Sequence, residues 1–324
     1  MSTTLFFLVP IGMLAIVWSF CFVGTCLPTT GLPGPPYSSI IIKEPSLVAY
    51  WPLSDSPNSP PPPPPPVNSI GIGTAADLSG KGHIGSYLQP PTYPALQQST
   101  ALNPPALTLR QGSIVPGDGL TTGSVTLPAS VNFDGGYVSI PWSTQNPPDL
   151  SQFTLEAWVQ TGWPGAGANW VVFCSLVNHR GFSLYVNPLN HWEIAVGIGG
   201  TSPNPTFDTM VPIMPGATTY IAVTCDQNGN ISFWMDPATD TSTPPTANWT
   251  SPMPPGYMQV DTTQPVTFFI GAGDCNEAPR TQNLGSGAPA YPFKGLIQSV
   301  ALYNSALSAA DLASHFEDGA TSDT

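Results

Sequence analysis

The chain has 324 residues, 41% of them hydrophobic and 10% aromatic, so it can bury a substantial core and is not disordered as a whole. Only 8% are charged, against about a quarter in ordinary soluble domains, which leaves the surface to Ser, Thr, Asn, Gln, Pro and Gly. A net charge of −13 with six Lys and Arg excludes a nucleic-acid partner and disfavours anionic lipid head groups, while divalent cations remain compatible.

The first element is an apolar run without a charge from Leu5 to Gly24. It is long enough to cross a bilayer as a helix, and it also has the character of a secretory signal, although MSTT before it carries no basic residue. Residues 1–28 therefore read as a signal peptide or a membrane anchor. Both readings export the rest of the chain to the cell surface or beyond, with the membrane touched only by this segment. Residues 29–45 read as a Pro/Gly-rich spacer and a first strand, the apolar run SSIIIK over 38–43. Seven consecutive prolines, Pro60 to Pro66, mark a stiff insertion at 57–68.

From Leu47 onward, short alternating runs are separated by Gly, Pro, Asn and Asp, the pattern of a sandwich or jelly roll. In FTLEAWV, Phe153, Leu155, Ala157 and Val159 share one face, and Glu156 and Trp158 lie on the other. FSLYV, HWEIAVGI, YIAVTC and ISFWM alternate in the same way. The turn Asp226-Gln227-Asn228-Gly229-Asn230 predicts a hairpin between YIAVTC and ISFWM. Near the end, Ser308 followed three residues on by Asp311 predicts a capped helix from Ala309 to Phe316, and residues 318–324 form a tail. The expected fold is all-β: a two-sheet antiparallel jelly-roll sandwich with one short C-terminal helix, preceded by an N-terminal apolar helix.

These landmarks occur in a familiar order. SLVAYWPLSD (46–55), DLSGKGHIGSY (77–87), DLSQFTLEAWVQT (149–161) and FKGLIQSVALYNSALSAADLASHF (293–316) together resemble the laminin-G-like, concanavalin A-like lectin/glucanase superfamily. The resemblance covers residues 46–317 and implies carbohydrate binding or adhesion, with glycans or neighbouring copies of the chain as partners. It also implies a calcium site at Asp77 and Ser79. Relatives often carry acids in the closing strand; here that strand reads Ile297-Gln298-Ser299-Val300, so Gln298 offers only a carbonyl oxygen.

Enzymatic chemistry finds little support. Superfamily glucanases carry carboxylates at alternate positions of one strand; here Glu156 and Glu193 are each the single acid of their strands, and Asp208 and Asp261 fall in turn-like segments. The four histidines are scattered, no C-x-x-C pair occurs, and Cys174, Cys225 and Cys275 leave the disulfide pairing open. Aromatic rings are the better candidates for stacking on sugars: Trp163 and Trp170 around a Gly-rich loop, and Tyr185, Tyr220 and Trp234 opposite the core-facing residues of their strands. A second expectation is a structural subunit of a surface layer or filament, motivated by the low charge, the stiff prolines and strand addition through residues 38–43.

Overall fold

Period-two alternation becomes, in the computed structural model of the chain, two antiparallel sheets packed face to face. The structure describes residues 37–55, 70–89, 106–116, 118, 129–142, 151–162, 169–176, 180–198, 205–237, 247–252, 266–273 and 291–321, all inside one unit, Pro35–Ser322. The N-terminal apolar run, the seven prolines, Trp163 and Cys275 lie outside the described residues. Among the described residues, no helix is long and apolar enough to cross a membrane.

In chain order the elements are helix α1 (Tyr37–Ile41) and strands β1 (Leu47–Trp51), β2 (Ile70–Ala75), β3 (Gly85–Gln89), β4 (Ala106–Gly112), β5 (Ala129–Asp134) and β6 (Tyr137–Trp142). Next come β7 (Phe153–Thr161), β8 (Trp170–Cys174), β9 (Arg180–Val186), β10 (His191–Ile198) and β11 (Thr206–Pro212). The chain continues through β12 (Thr218–Cys225), β13 (Asn230–Pro237), β14 (Ala247–Pro252), β15 (Val266–Ile270), β16 (Lys294–Tyr303) and helix α2 (Ala309–Ala320). Sheet A runs β14-β13-β12-β7-β16-β5-β4, with β1 also paired to β16; sheet B runs β11-β10-β9-β8-β15-β6-β3-β2.

The alternation sorts side chains as read. Phe153, Leu155, Ala157 and Val159 of β7 join Ile221 and Val223 of β12 and Phe182, Leu184 and Ile194 of sheet B in the inter-sheet core. The β12–β13 hairpin forms around Asp226, whose Oδ1 accepts the N–H groups of Asn228 (2.8 Å) and Asn230 (2.9 Å), with Gly229 at φ 80°.

The outer face of sheet A is a second apolar layer. Trp158, Tyr220, Trp234 and Tyr303 point there and are covered by Tyr37 and Ile41 of α1 and by Leu312, Phe316 and Ala320 of α2. The run over 38–43 is thus a helical segment instead of a strand. Tyr37 and Ile41, four residues apart, fall on one helical face and are both buried. Helix α2 begins as expected, with the Ser308 hydroxyl accepting from Asp311 N and the Asp311 carboxylate accepting from Ser308 N. It extends to Ala320, past the expected end at Phe316, because Leu312, Phe316 and Ala320 continue one buried stripe.

Candidate functional site

The aromatic candidates from the sequence are packed away. Trp170 is 2% exposed in the inter-sheet core, and Tyr185 is 2% exposed in an apolar layer on the outer face of sheet B with Tyr137 and Phe269. Tyr220 is fully buried and donates its hydroxyl to Glu156. Trp234 is 9% exposed, with its Nε1 donating to Thr224 Oγ1 at 3.4 Å. None of these four rings presents an open face to a sugar. The alternation placed three of them correctly on the outward side of their strands, but a second layer covers that side.

Of the expected calcium ligands, Asp77 and Ser79 share one loop, and Gln298 bonds a different set of partners. Asp77 Oδ1 accepts N–H groups of Tyr50 (3.0 Å) and Ser79 (2.9 Å), and Oδ2 accepts that of His83 (2.8 Å). The carboxylate thus organises its own loop against β1, and the Ser79 hydroxyl donates to Val48 O at 3.3 Å. Gln298 is buried elsewhere: its Oε1 accepts from Ile114 N at 2.8 Å, and its Nε2 donates to Asp118 Oδ2 at 3.0 Å. Asp77 and Gln298 share no partner. Among the described residues, no group of three or more His, Cys, Asp or Glu is placed to hold a metal ion. Cys225 is a buried thiol whose pKa burial pushes up to about 12, with Asp226 adding to the rise.

Among the described residues, two polar constellations join carboxylates to a histidine, one closed and one open. The closed one lies under the helices of sheet A. Glu156, fully buried on β7, accepts from Tyr303 Oη at 2.5 Å, from Tyr220 Oη and from Tyr37 Oη at 3.4 Å, and pairs with His315 Nδ1 at 3.1 Å. His315 Nε2 reaches Glu44 Oε1 at 3.4 Å. Burial pushes the Glu156 pKa up, but the His315 charge and the hydrogen bonds from His315, Tyr220 and Tyr303 leave it below its ordinary value. With the acid sealed in, no ligand can reach it. Glu156 is the hydrogen-bonded structural acid that its isolated position in the sequence suggests.

The open constellation is on the outer face of sheet B, where β9, β10 and β11 meet. Trp192, Ile194 and Val196 face the core, so His191 and Glu193 face outward. Glu193 pairs directly with Asp208 across the strands, which brings the two carboxylates onto one face. Asn187 Nδ2 donates to Glu193 Oε2 at 2.8 Å, while Asn187 Oδ1 accepts from Leu189 N (2.9 Å) and His191 N (3.0 Å), fixing the turn between β9 and β10. His191 Nδ1 lies 3.2 Å from both oxygens of Asp208. Asp208 is not in a turn, as its flanking residues suggest, but in β11.

The reason is a bulge. His191 pairs with Pro212 and Glu193 with Asp208, so a step of two residues along β10 spans four along β11. Asp208 Oδ1 accepts Met210 N at 2.8 Å, and Met210 sits at φ 57° with its side chain 69% exposed. Leu189, in the turn on the other side, is 68% exposed. Burial acts to raise the Asp208 pKa, but the Met210 N–H and the His191 hydrogen bond and charge outweigh it, so the group stays ionised. Together these residues form a polar group in which His191 and Asp208 are 26% and 22% exposed and Asn187 is buried, flanked along the chain by two exposed apolar side chains. Alternation could have shown Glu193 facing out; the irregular TFDTMVP run gave no sign that Asp208 would face it.

A family model described as the concanavalin A-like lectin/glucanases superfamily matches residues 132–313. No curated protein matches the chain. Among solved structures, a Ruminococcus gnavus sialidase CBM40 module bound to α2,3-sialyllactose is 16% identical over 52% of this chain and 90% of its own, with a TM-score of 0.38. A receptor-binding domain aligns at 11% identity over 86% of this chain and 52% of its own, with a TM-score of 0.46. A botulinum neurotoxin type C structure, from work on cell entry through two ganglioside molecules, aligns at 12% identity over 77% of this chain and 50% of its own, with a TM-score of 0.43. The chain thus spans about half the length of the last two.

Proposed function

Because the chain belongs to the concanavalin A-like lectin/glucanases superfamily, we propose that it is an exported, non-catalytic module that binds carbohydrate at the β9–β11 end of sheet B. The observation that supports this reading most is the cross-strand group of Glu193, Asp208 and His191, partly exposed on the outer face over the buried Asn187, with exposed Leu189 and Met210 next to it along the chain. Sugars need acceptors and donors held at fixed positions for their hydroxyls, together with apolar surface for their C–H faces. Both kinds of contact converge here. Export rests on the apolar Leu5–Gly24 run. The non-catalytic part rests on the engagement of each acid within the protein: Glu193 holds the Asn187 amide, and Asp208 holds His191 and the bulge.

A glycan array followed by calorimetry on the best binder tests the reading. We expect Glu193→Ala and Asp208→Ala each to weaken binding about 10- to 100-fold, as loss of a hydrogen bond to a charged group implies. Circular dichroism should remain that of the parent protein. Absence of binding to every glycan, or binding indifferent to both substitutions, would sink it. Release of reducing ends from a bound oligosaccharide would replace binding by catalysis.

A further inference from the structure

Going beyond the binding reading, and resting only on its export part, we infer that the chain offers Asn248, and not Asn230, as the acceptor of an N-linked oligosaccharide. The signal for this modification is Asn followed, after any residue but proline, by Ser or Thr. Two triplets have the form, Asn230-Ile231-Ser232 and Asn248-Trp249-Thr250, while Asn204-Pro205-Thr206 is barred by its proline. Both lie in the β13–β14 pair, yet the fold treats them differently.

Asn230 is already in use. Its Nδ2 donates to Asp226 Oδ2 at 2.7 Å, and its backbone N–H donates to Asp226 Oδ1 at 2.9 Å. The acceptor is a carboxylate, so these bonds are charge-assisted. A sugar on Nδ2 would replace one of its two hydrogens and set bulk against that carboxylate. The middle residue of the triplet, Ile231, is fully buried and paired on both sides, to Cys225 of β12 and Ser251 of β14. The turn is local, running from Asp226 to Asn230. A hairpin of this kind closes in about 1–10 μs, whereas a chain is synthesised at about 5–20 residues per second. The Asn230 amide is therefore engaged before a transferase meets it.

Asn248 is placed otherwise. Among the described residues, β14 ends sheet A and pairs only with β13. Phe233 pairs with Trp249 and Trp234 with Ala247, so Asn248 is the extra residue of a bulge and has no cross-strand partner in the register. A strand at the end of a sheet keeps one side of its backbone for an incoming chain or enzyme. The triplet is thus held by one neighbour instead of two, and a sugar on it displaces no strand. In the transfer, the Asn248 side-chain nitrogen bonds to the anomeric carbon of a polyprenyl-diphosphate-linked oligosaccharide. The bond from that carbon to the diphosphate oxygen breaks, its electron pair leaves with the diphosphate, and one amide proton passes to solvent. Nothing is oxidised or reduced. The attached glycan, bulky and solubilising, would shield the edge of β14 from pairing with another chain.

The test is cell-free translation of the full chain with endoplasmic-reticulum microsomes. Protease protection reads export, and a gel shift reversed by peptide-N-glycosidase reads the glycan. We expect a protected chain shifted by a single glycan. Asn248→Gln and Thr250→Ala should abolish the shift, Thr250→Ser should keep it, and Asn230→Gln should leave it unchanged. The shift is made during transfer, so a variant that folds poorly still reports. A protected chain without a shift, a shift of two glycans, or a shift lost in Asn230→Gln and kept in Asn248→Gln overturns the assignment while leaving export intact. A chain left open to protease overturns export and the acceptor site together, and the β9–β11 face is judged separately by the glycan array.

Discussion

Glu156 illustrates how much a single buried charge can determine. Three tyrosine hydroxyls and one imidazole converge on its carboxylate from α1, β12, β16 and α2. Burial by itself would lower the His315 pKa; the Glu156 charge and the hydrogen bonds to Glu156 and Glu44 raise it to about 9 instead. The histidine is thus held as a cation, and its contribution to stability is complete below its ordinary value of 6.5 and lost as pH rises through about 9. Glu156 is shifted the other way, so its contribution is present above its ordinary value of 4.5 and lost as pH falls below it. We expect the melting temperature to be highest between those two values and to decline on either side. In His315→Ala the alkaline decline should vanish and urea midpoints should report a loss of about 3–5 kcal/mol, the cost of leaving one buried charge unpaired. Glu156 was legible as an acid on the outward side of its strand. His315 was not legible as its partner, because 159 residues separate the two and no local pattern joins them.

At the scale of elements, those with strong local chemistry were the readable ones. The β12–β13 hairpin follows from Asp226 and Gly229, and the start of α2 follows from Ser308 and Asp311. Ser308→Ala should cost about 1 kcal/mol in chemical denaturation, since it removes the hydroxyl acceptor for Asp311 N. The short helix α1 was misread because SSIIIK has the β-branched content of a strand; its fate was decided by Tyr37 and Ile41 reaching the same apolar layer. Strand β11 was hidden for the opposite reason. Its bulge breaks the alternation, with Met210 at positive φ, so TFDTMVP shows no clean period of two. Irregular backbone therefore concealed the strand that completes the candidate site.

At the scale of the whole molecule, the two-sheet sandwich was legible because the core rests on alternation, whereas its outer layers were not. Alternation tells which side of a strand a residue occupies but not what covers that side. A second feature emerges only from the complete sheets. Among the described residues, the strands that end the two sheets are irregular, with extra residues in β14 against β13, in β4 against β5, in β11 against β10 and in β2 against β3, as is β1, which pairs only with β16. Bulges twist an edge away from a would-be partner and interrupt the row of free backbone groups. Together with the helical conformation of the segment expected to add as a strand, this argues against assembly through sheet edges. Size-exclusion chromatography with light scattering should show a monomer across a broad concentration range; a concentration-dependent polymer would refute the expectation.

The two helices that cover sheet A also determine how the molecule is displayed. The described chain enters through α1 and leaves through α2, and both lie on the outer face of sheet A. Glu193 and Asp208 lie on the outer face of sheet B, the opposite side of the sandwich. A bead or reporter protein joined directly to the end of α2 would start on the face away from Glu193 and Asp208. Immobilising the protein directly after α2 should therefore preserve its capture capacity, while attachment at the Leu189 turn should abolish it.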